Sequence, residues 1–154
     1  MKRLYFAVVL MVVSTAAFCQ MFDGTIDGAI PGTMEDVSAH FIKKGYKFIN
    51  CPTCTPDVVF MEGGLVLNHP KNKKADVLVY MEKKDNFVNS ISLYYPSEHK
   101  FQWQYDIHKR IFINSFGNPT IENKTQCKWV FLMYTYTIGA ENNRIYHKLE
   151  INKQ

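Results

Sequence analysis

The sequence predicts an α+β domain in which two helices pack on one face of an antiparallel sheet. Two segments carry apolar residues at helical spacing between recognisable helix ends. The segments between and after them are short runs rich in Val, Ile, Phe and Tyr, separated by clusters of Gly, Pro, Asn and Lys. The order helix, strands, helix, strands also suggests two related helix-then-sheet modules.

The first 19 residues have the order of an export signal. Two basic residues precede an apolar run from Leu4 to Val13, and small residues follow at Ala17 and Cys19. The run is shorter than the roughly 20 apolar residues that span a bilayer. Cleavage after Cys19 is therefore expected to release residues 20–154 as a single exported domain, periplasmic or secreted. A lipid anchor on Cys19 is the competing interpretation.

The first helix is predicted over residues 34–44. Thr33 suits the N-cap, Asp36 stands where a capping-box acid would, and Gly45 supplies the end. The apolar stripe of this helix consists of Met34, Val37, Phe41 and Ile42. We expect the stripe to pack against the sheet.

Strand-like runs follow the first helix as an antiparallel meander. They cover residues 46–49, 58–62, 76–82 and 90–95. Gly63-Gly64 is a candidate hairpin turn with residues 65–67 as its return strand.

A second helix is predicted over residues 97–116. Gly117-Asn118-Pro119 ends it, because glycine suits the C-terminal cap and proline cannot continue a helix. Its apolar stripe includes Phe101, Tyr105, His108 and Phe112. Two more strands are expected, one over residues 128–138 and one over 144–151.

Three short motifs give the chain a family resemblance. They are Ile26-Asp27-Gly28 before the first helix, Phe41-Ile42-Lys43-Lys44-Gly45-Tyr46 at its end, and Phe116-Gly117-Asn118-Pro119-Thr120 after the second. With them the chain resembles small exported bacterial proteins built from tandem helix-then-sheet modules. The plan is similar to that of β-lactamase inhibitor protein-like and PepSY-like domains. That resemblance implies protein binding or inhibition rather than catalysis.

Charge and size exclude some classes of function. The chain has 154 residues and a formal net charge of +4, and Lys2 and Arg3 of the predicted signal contribute to that charge. A nucleic-acid-binding domain needs a clustered basic face, which this weak balance does not provide. After the signal, no stretch has the length and apolarity of a membrane span, so none is expected in the mature chain.

Cys51-Pro52-Thr53-Cys54 is the motif with the clearest chemical content. A C-x-x-C pair can cycle between dithiol and disulfide, or it can form half of a zinc site. The strand-like run after it offers no helix N-terminus to stabilise a thiolate, and only Cys127 remains as a further cysteine in the mature chain. In an oxidising compartment a structural disulfide is expected, either between Cys51 and Cys54 or between one of them and Cys127, with one thiol left over; pairing between chains is the alternative.

Catalytic signatures are missing from the sequence. It contains no G-x-S-x-G elbow, no H-E-x-x-H motif and no glycine-rich phosphate loop. His99 and His108 are predicted to lie on opposite faces of the second helix, and the other histidines are scattered singly. We therefore predict no catalytic residues, no metal site and no cofactor.

Five tyrosines are the candidate binding surface. They are Tyr80, Tyr94, Tyr134, Tyr136 and Tyr146, and they fall on four predicted strands. Alternation along each strand would place them together on the face that the helices leave uncovered, where a tyrosine combines contact area with a hydroxyl that tolerates water. The predicted function is an exported, non-catalytic binding or envelope-accessory domain, with another envelope or secreted protein as partner. The alternative is a thiol-disulfide redox protein that uses Cys51 and Cys54.

Overall fold

The computed structural model describes residues 25–63, 77–96, 101–142 and 144–153. These residues form two helices and an eight-stranded antiparallel sheet, so the predicted α+β class is confirmed. The predicted signal peptide and the predicted return strand at 65–67 lie outside the described residues. In the described part of the chain, neither helix is long and apolar enough to cross a membrane.

The ends of the helices follow the local sequence signals. Helix α1 spans Met34–Lys43, and the Thr33 hydroxyl accepts a hydrogen bond from the Asp36 backbone N–H at 3.2 Å. Helix α2 spans Phe101–Phe116, and Gly117 follows it with a φ of 79°. That left-handed conformation favours glycine, which explains why the helix ends there. Residues 97–100, where this helix is predicted to begin, are not among the described ones.

The strands make two meanders that meet in the middle of the sheet. They are β1 (Lys47–Ile49), β2 (Val58–Gly63), β3 (Val77–Lys84), β4 (Phe87–Pro96), β5 (Ile121–Glu122), β6 (Gln126–Val130), β7 (Tyr134–Glu141) and β8 (Arg144–Ile151). Their spatial order is β1-β2-β3-β4-β8-β7-β6-β5. The last strand of the first meander, β4, therefore pairs with the last strand of the second meander, β8, at the centre of the sheet.

The prediction of a single strand over residues 128–138 is wrong. The structure divides this stretch into β6 and β7, which pair as a hairpin with Val130 opposite Thr135. The run has no Gly, Pro, Asn or Asp at the turn, so the sequence carries no turn signal there. The two-residue strand β5, too short to show a period, was not predicted either.

The two faces of the sheet differ in what they contact. We call the face toward α2 the inner face, and on it the Phe112 ring of α2 stacks on Tyr136 of β7 at a centroid distance of 4.7 Å. Helix α1 contacts β4, and its Val37 and Phe41 belong to the same buried apolar cluster as the inner-face residues. The opposite side is the outer face, where one row across the sheet holds Phe60, Tyr80, Ser92, Lys148 and Thr137.

Candidate functional site

A groove of about 350 Å³ lies on the outer face, at the end of the sheet where β7 turns into β8. Its apolar wall consists of Phe60, Leu78, Tyr80 and Tyr94, contributed by three adjacent strands. Its polar end consists of Glu141, Asn142 and Arg144. The groove therefore combines aromatic contact area with exposed charges of both signs.

Strand alternation and register bring the wall residues together. Phe60 lies opposite Tyr80, and Leu78 lies opposite Tyr94, so their side chains emerge on the same face. The rings of Phe60 and Tyr80 meet edge to face with centroids 5.1 Å apart. Such an aromatic pair stabilises the wall beyond its burial alone.

The two tyrosines of the groove keep their hydroxyl protons at neutral pH. Burial raises the pKa of Tyr80, and the neighbouring Glu82 carboxylate, which accepts a hydrogen bond from the Tyr80 hydroxyl at 3.2 Å, raises it further. Burial also raises the pKa of Tyr94, with Glu141 as the next contribution. Both hydroxyls are therefore neutral groups that can donate or accept hydrogen bonds, and neither is an activated nucleophile.

Tyr146 extends the aromatic wall, and its contacts with Gln126 and Gly139 hold its ring in place. Its ring centroid lies 5.5 Å from that of Tyr94, and its hydroxyl accepts a hydrogen bond from Gln126 at 2.7 Å. The ring lies across Gly139, its direct neighbour on β7, so closely that a Cβ built on Gly139 would overlap it. The missing side chain of Gly139 is thus what lets the ring lie flat on the sheet.

A charged cluster stands beside the groove on the outer face. The Lys148 ammonium lies 2.8 Å from a Glu150 carboxylate oxygen and 3.8 Å from one of Glu82. Burial lowers the pKa of Lys148, but the hydrogen bond that Lys148 donates to Glu150 and the charges of Glu150 and Glu82 outweigh it and leave that pKa raised. Lys148 is therefore a fully charged partner for these acids.

Three of the five predicted tyrosines lie together, and two do not. Tyr80, Tyr94 and Tyr146 share the outer face, whereas Tyr136 is buried on the inner face. Tyr134 is two residues from Tyr136 on the same strand and shares its face. The prediction of a single five-tyrosine surface is therefore wrong. Alternation assigns the residues of a strand to two faces but does not show which face points inward. The register of β7 against β8 is what places Tyr134 and Tyr136 on the inner face.

The cysteines occupy two different environments. The Sγ atoms of Cys51 and Cys54 lie at disulfide bonding distance in the loop between β1 and β2, with their Cα atoms 5.3 Å apart. The prediction that these two cysteines lie together in a loop is confirmed. Cys127 is a buried free thiol on β6, 3.3 Å from the Tyr105 hydroxyl of α2, and it takes no part in the pair.

A histidine pair under α2, with His147 buried and His108 half-buried, was not predicted from the sequence. The His108 Nδ1 atom lies 2.7 Å from His147 Nε2, and the Tyr136 hydroxyl lies 2.9 Å from His147 Nδ1. Burial lowers the pKa of His147 to about 3, with the nearby His108 as a second cause, and burial also lowers the pKa of His108. The signal was present, because His147 falls midway between the inward Ile145 and Leu149 on the same strand.

No candidate metal centre emerges from the described ranges, where no three side chains of His, Cys, Asp or Glu gather around one point. Comparison with family models, with curated proteins and with solved structures finds no match. The proposed function therefore rests on the geometry of the chain itself.

Proposed function

We propose that this chain is an exported, non-catalytic binding domain, and that the outer-face groove holds a segment of another envelope or secreted protein. The observation that carries the proposal is the groove itself, in which Tyr80 and Tyr94 form a wall that ends at Arg144. Tyrosine and arginine are enriched among the residues that dominate protein interfaces. A volume of about 350 Å³ is at the lower end for ligand sites, which suits one or two anchoring side chains of a larger partner.

The chemistry of the lining favours binding over reaction. The Tyr80 and Tyr94 hydroxyls are protonated at neutral pH, and burial raises their pKa values further above the ordinary range, so they offer hydrogen bonds but no nucleophile. Glu141 and Arg144 are exposed at the rim and provide one charge of each sign. Rim charges of this kind steer the encounter and set orientation more than they add affinity.

The arrangement of the sheet supports the two-module part of the proposal. Each helix precedes a four-strand meander, and the spatial order of the strands reads as two such meanders joined at β4 and β8. We take the two halves to be related modules whose helices lie on one shared face. On this view the chain follows the plan of β-lactamase inhibitor protein-like or PepSY-like domains, and the outer face is its binding side.

Export is part of the same proposal. Residues 1–19 are interpreted as a signal peptide, which sends the domain to the periplasm or the exterior. The Cys51–Cys54 pair at disulfide distance is consistent with such an oxidising compartment.

The competing function is thiol-disulfide exchange by Cys51 and Cys54. Strand β2 begins at Val58, three residues after Thr55, so the loop is not followed by a helix whose N-terminus would stabilise a thiolate. We therefore assign the pair a structural role. Insulin reduction by the wild-type protein that is lost on Cys51→Ser would overturn that assignment.

The test of the binding function is site-specific photo-crosslinking in the exporting host. A photoreactive phenylalanine analogue at Tyr80 is expected to crosslink one defined protein, whereas the same analogue at the exposed Trp103 on α2 is not. The identified partner is then purified and titrated against the variants. Tyr94→Ala is expected to weaken binding by at least tenfold, as for a central aromatic contact, while Trp103→Ala leaves the affinity unchanged. Equal crosslinking at both positions, or equal affinities of both alanine variants, contradicts the proposal.

A further inference from the structure

The turn between β6 and β7 exposes a contiguous apolar tip, which we define as Val130–Met133. Leu132 is 96 % exposed, Met133 62 % and Val130 48 %. Single exposed apolar residues are common on soluble proteins, but a cluster of them on a protruding turn marks a surface that meets something apolar. The tip is not part of the lining of the outer-face groove, so the function proposed for the groove does not explain its exposed apolar side chains.

The tip is held rigidly from a distant part of the chain. The Asn152 side-chain amide donates to the carbonyl of Phe131 at 2.6 Å and to that of Leu132 at 3.3 Å, and its backbone N–H donates to the carbonyl of Met133 at 2.9 Å. The Thr135 hydroxyl in turn donates to the Asn152 side-chain oxygen at 2.6 Å. The apolar side chains are therefore presented in a fixed arrangement.

This hydrogen bonding fits a tip that leaves water. Three successive backbone carbonyls, those of Phe131, Leu132 and Met133, are paired within the protein. An unpaired carbonyl would resist transfer into an apolar medium, because it would lose its hydrogen bond to water. With these carbonyls already paired, part of the cost of inserting the turn is removed, and the exposed side chains favour insertion.

The composition of the tip decides which apolar medium it meets. A protein pocket is usually filled by Trp, Tyr or Arg, whereas Leu and Val are under-represented among the dominant interface residues. A lipid surface accepts any apolar side chain without a directional partner. Lys153 is exposed and directly follows Asn152, so it adds a positive charge close to the tip, suited to anionic headgroups.

We propose that the tip Val130–Met133 inserts into the surface of an anionic lipid bilayer and attaches the domain to a membrane peripherally. The inserted part is two or three side chains, so binding is weak and reversible, on the order of the 10⁴ M⁻¹ that a single acyl chain provides or below it. This proposal does not depend on the groove or on its ligand.

The first test is co-sedimentation of the full chain, as the exporting host delivers it, with vesicles of phosphatidylcholine and phosphatidylglycerol. The double variant Leu132→Ser with Met133→Ser is expected to lose at least tenfold in partition coefficient. The control Ile42→Ser with Ile111→Ser removes two apolar side chains that are also more than half exposed, one from each helix, and is expected to bind like the wild type. Lys153→Glu is expected to weaken binding only to vesicles that contain phosphatidylglycerol.

A second measurement locates the insertion, so that an attachment through the N-terminal segment cannot imitate it. Leu132→Trp and, as a control, Ile111→Trp each add a tryptophan to the native Trp103 and Trp129, so quenching by lipids brominated on their acyl chains is measured as the difference from the wild type. Only Leu132→Trp is expected to show more quenching than the wild type. Absence of that quenching, or wild-type partitioning of the serine tip variant, overturns the proposal. So does a wild-type dimer in solution that the serine tip variant dissociates, because the tip would then cover a second copy of the chain.

Discussion

Acidification below about pH 6.5 is expected to destabilise the fold through His147. Its imidazole is buried at the centre of the sheet, between Leu93 of β4 and Ile138 of β7, and packs beneath α2 against Phe112. Burial lowers the pKa of His147 to about 3, and the neighbouring His108 acts in the same direction. In the unfolded chain the same imidazole titrates near 6.5.

The size of the effect follows from this difference in pKa. Above pH 6.5 neither state binds the proton, and the stabilisation is complete. Between pH 6.5 and about 3 the unfolded chain binds a proton that the native state excludes, so the free energy of unfolding falls by about 1.4 kcal/mol for each pH unit. A fall of two units removes about 3 kcal/mol, which is a large part of the 5–15 kcal/mol typical of a domain. The lowered pKa of His108 adds a loss of the same sign.

The assay is urea unfolding, followed by circular dichroism, between pH 7 and 5, where most carboxylates remain ionised. His147→Gln is expected to be less stable at pH 7 but to lose stability less steeply on acidification, because the buried titrating group is gone. His40→Gln is the control variant, because it removes an imidazole from α1 and leaves the His108–His147 pair intact. Equal slopes for the wild type and His147→Gln would refute the reasoning.

Two further predictions concern packing, and both are measured as free energies of unfolding at neutral pH. Phe41→Ala empties a fully buried site on α1 and is expected to cost about 3–5 kcal/mol, whereas Ile42→Ala, at an exposed site on the same helix, stays within about 0.5 kcal/mol. Similar costs for the two would contradict the assigned core. Gly139→Ala forces the Tyr146 ring off the sheet and is expected to cost about 1–3 kcal/mol, whereas Gly32→Ala, where the nearest atom to a new Cβ lies 3.9 Å away, is nearly neutral. An unperturbed Gly139→Ala variant would show that the ring does not lie on that glycine.

Sequence signals that act locally, such as helix caps, predicted the structural features near them. Thr33 and Gly117 act within one helical turn of their own positions, so the ends of α1 and α2 on which they act could be found from the sequence. Register depends on a partner strand far along the chain, and the faces of Tyr134 and Tyr136 could not be derived from alternation in β7 alone. The groove forms only when β2, β3 and β4 pair in the observed register beside the turn between β7 and β8. The sequence therefore predicted only part of its lining, Tyr80 and Tyr94.

The most informative failure lies between β6 and β7. A tight turn ordinarily uses residues that favour turn conformations, yet this one is built from apolar side chains and depends on Asn152 for its hydrogen bonds. Where the residue types at a position do not suit the local structure, the sequence is constrained there by something other than folding. The missing turn signal and the exposed apolar side chains are thus two aspects of one feature, and the proposed contact with a bilayer explains both.

The groove and the tip lie at opposite ends of β7, and this fixes how the two proposed functions combine. Strand β7 runs from Tyr134, next to the tip, to Glu141, at the polar end of the groove. At about 3.3 Å per residue, these ends are separated by roughly 23 Å. A domain attached to a bilayer through Leu132 and Met133 therefore holds the Glu141 end of its groove away from the lipid, in water. A partner segment can then bind without competing with the membrane, so the double variant Leu132→Ser with Met133→Ser should keep the affinity for the soluble partner unchanged while its partition into vesicles falls at least tenfold. Loss of both properties together would show that tip and groove form one site and that the proposed separation is wrong.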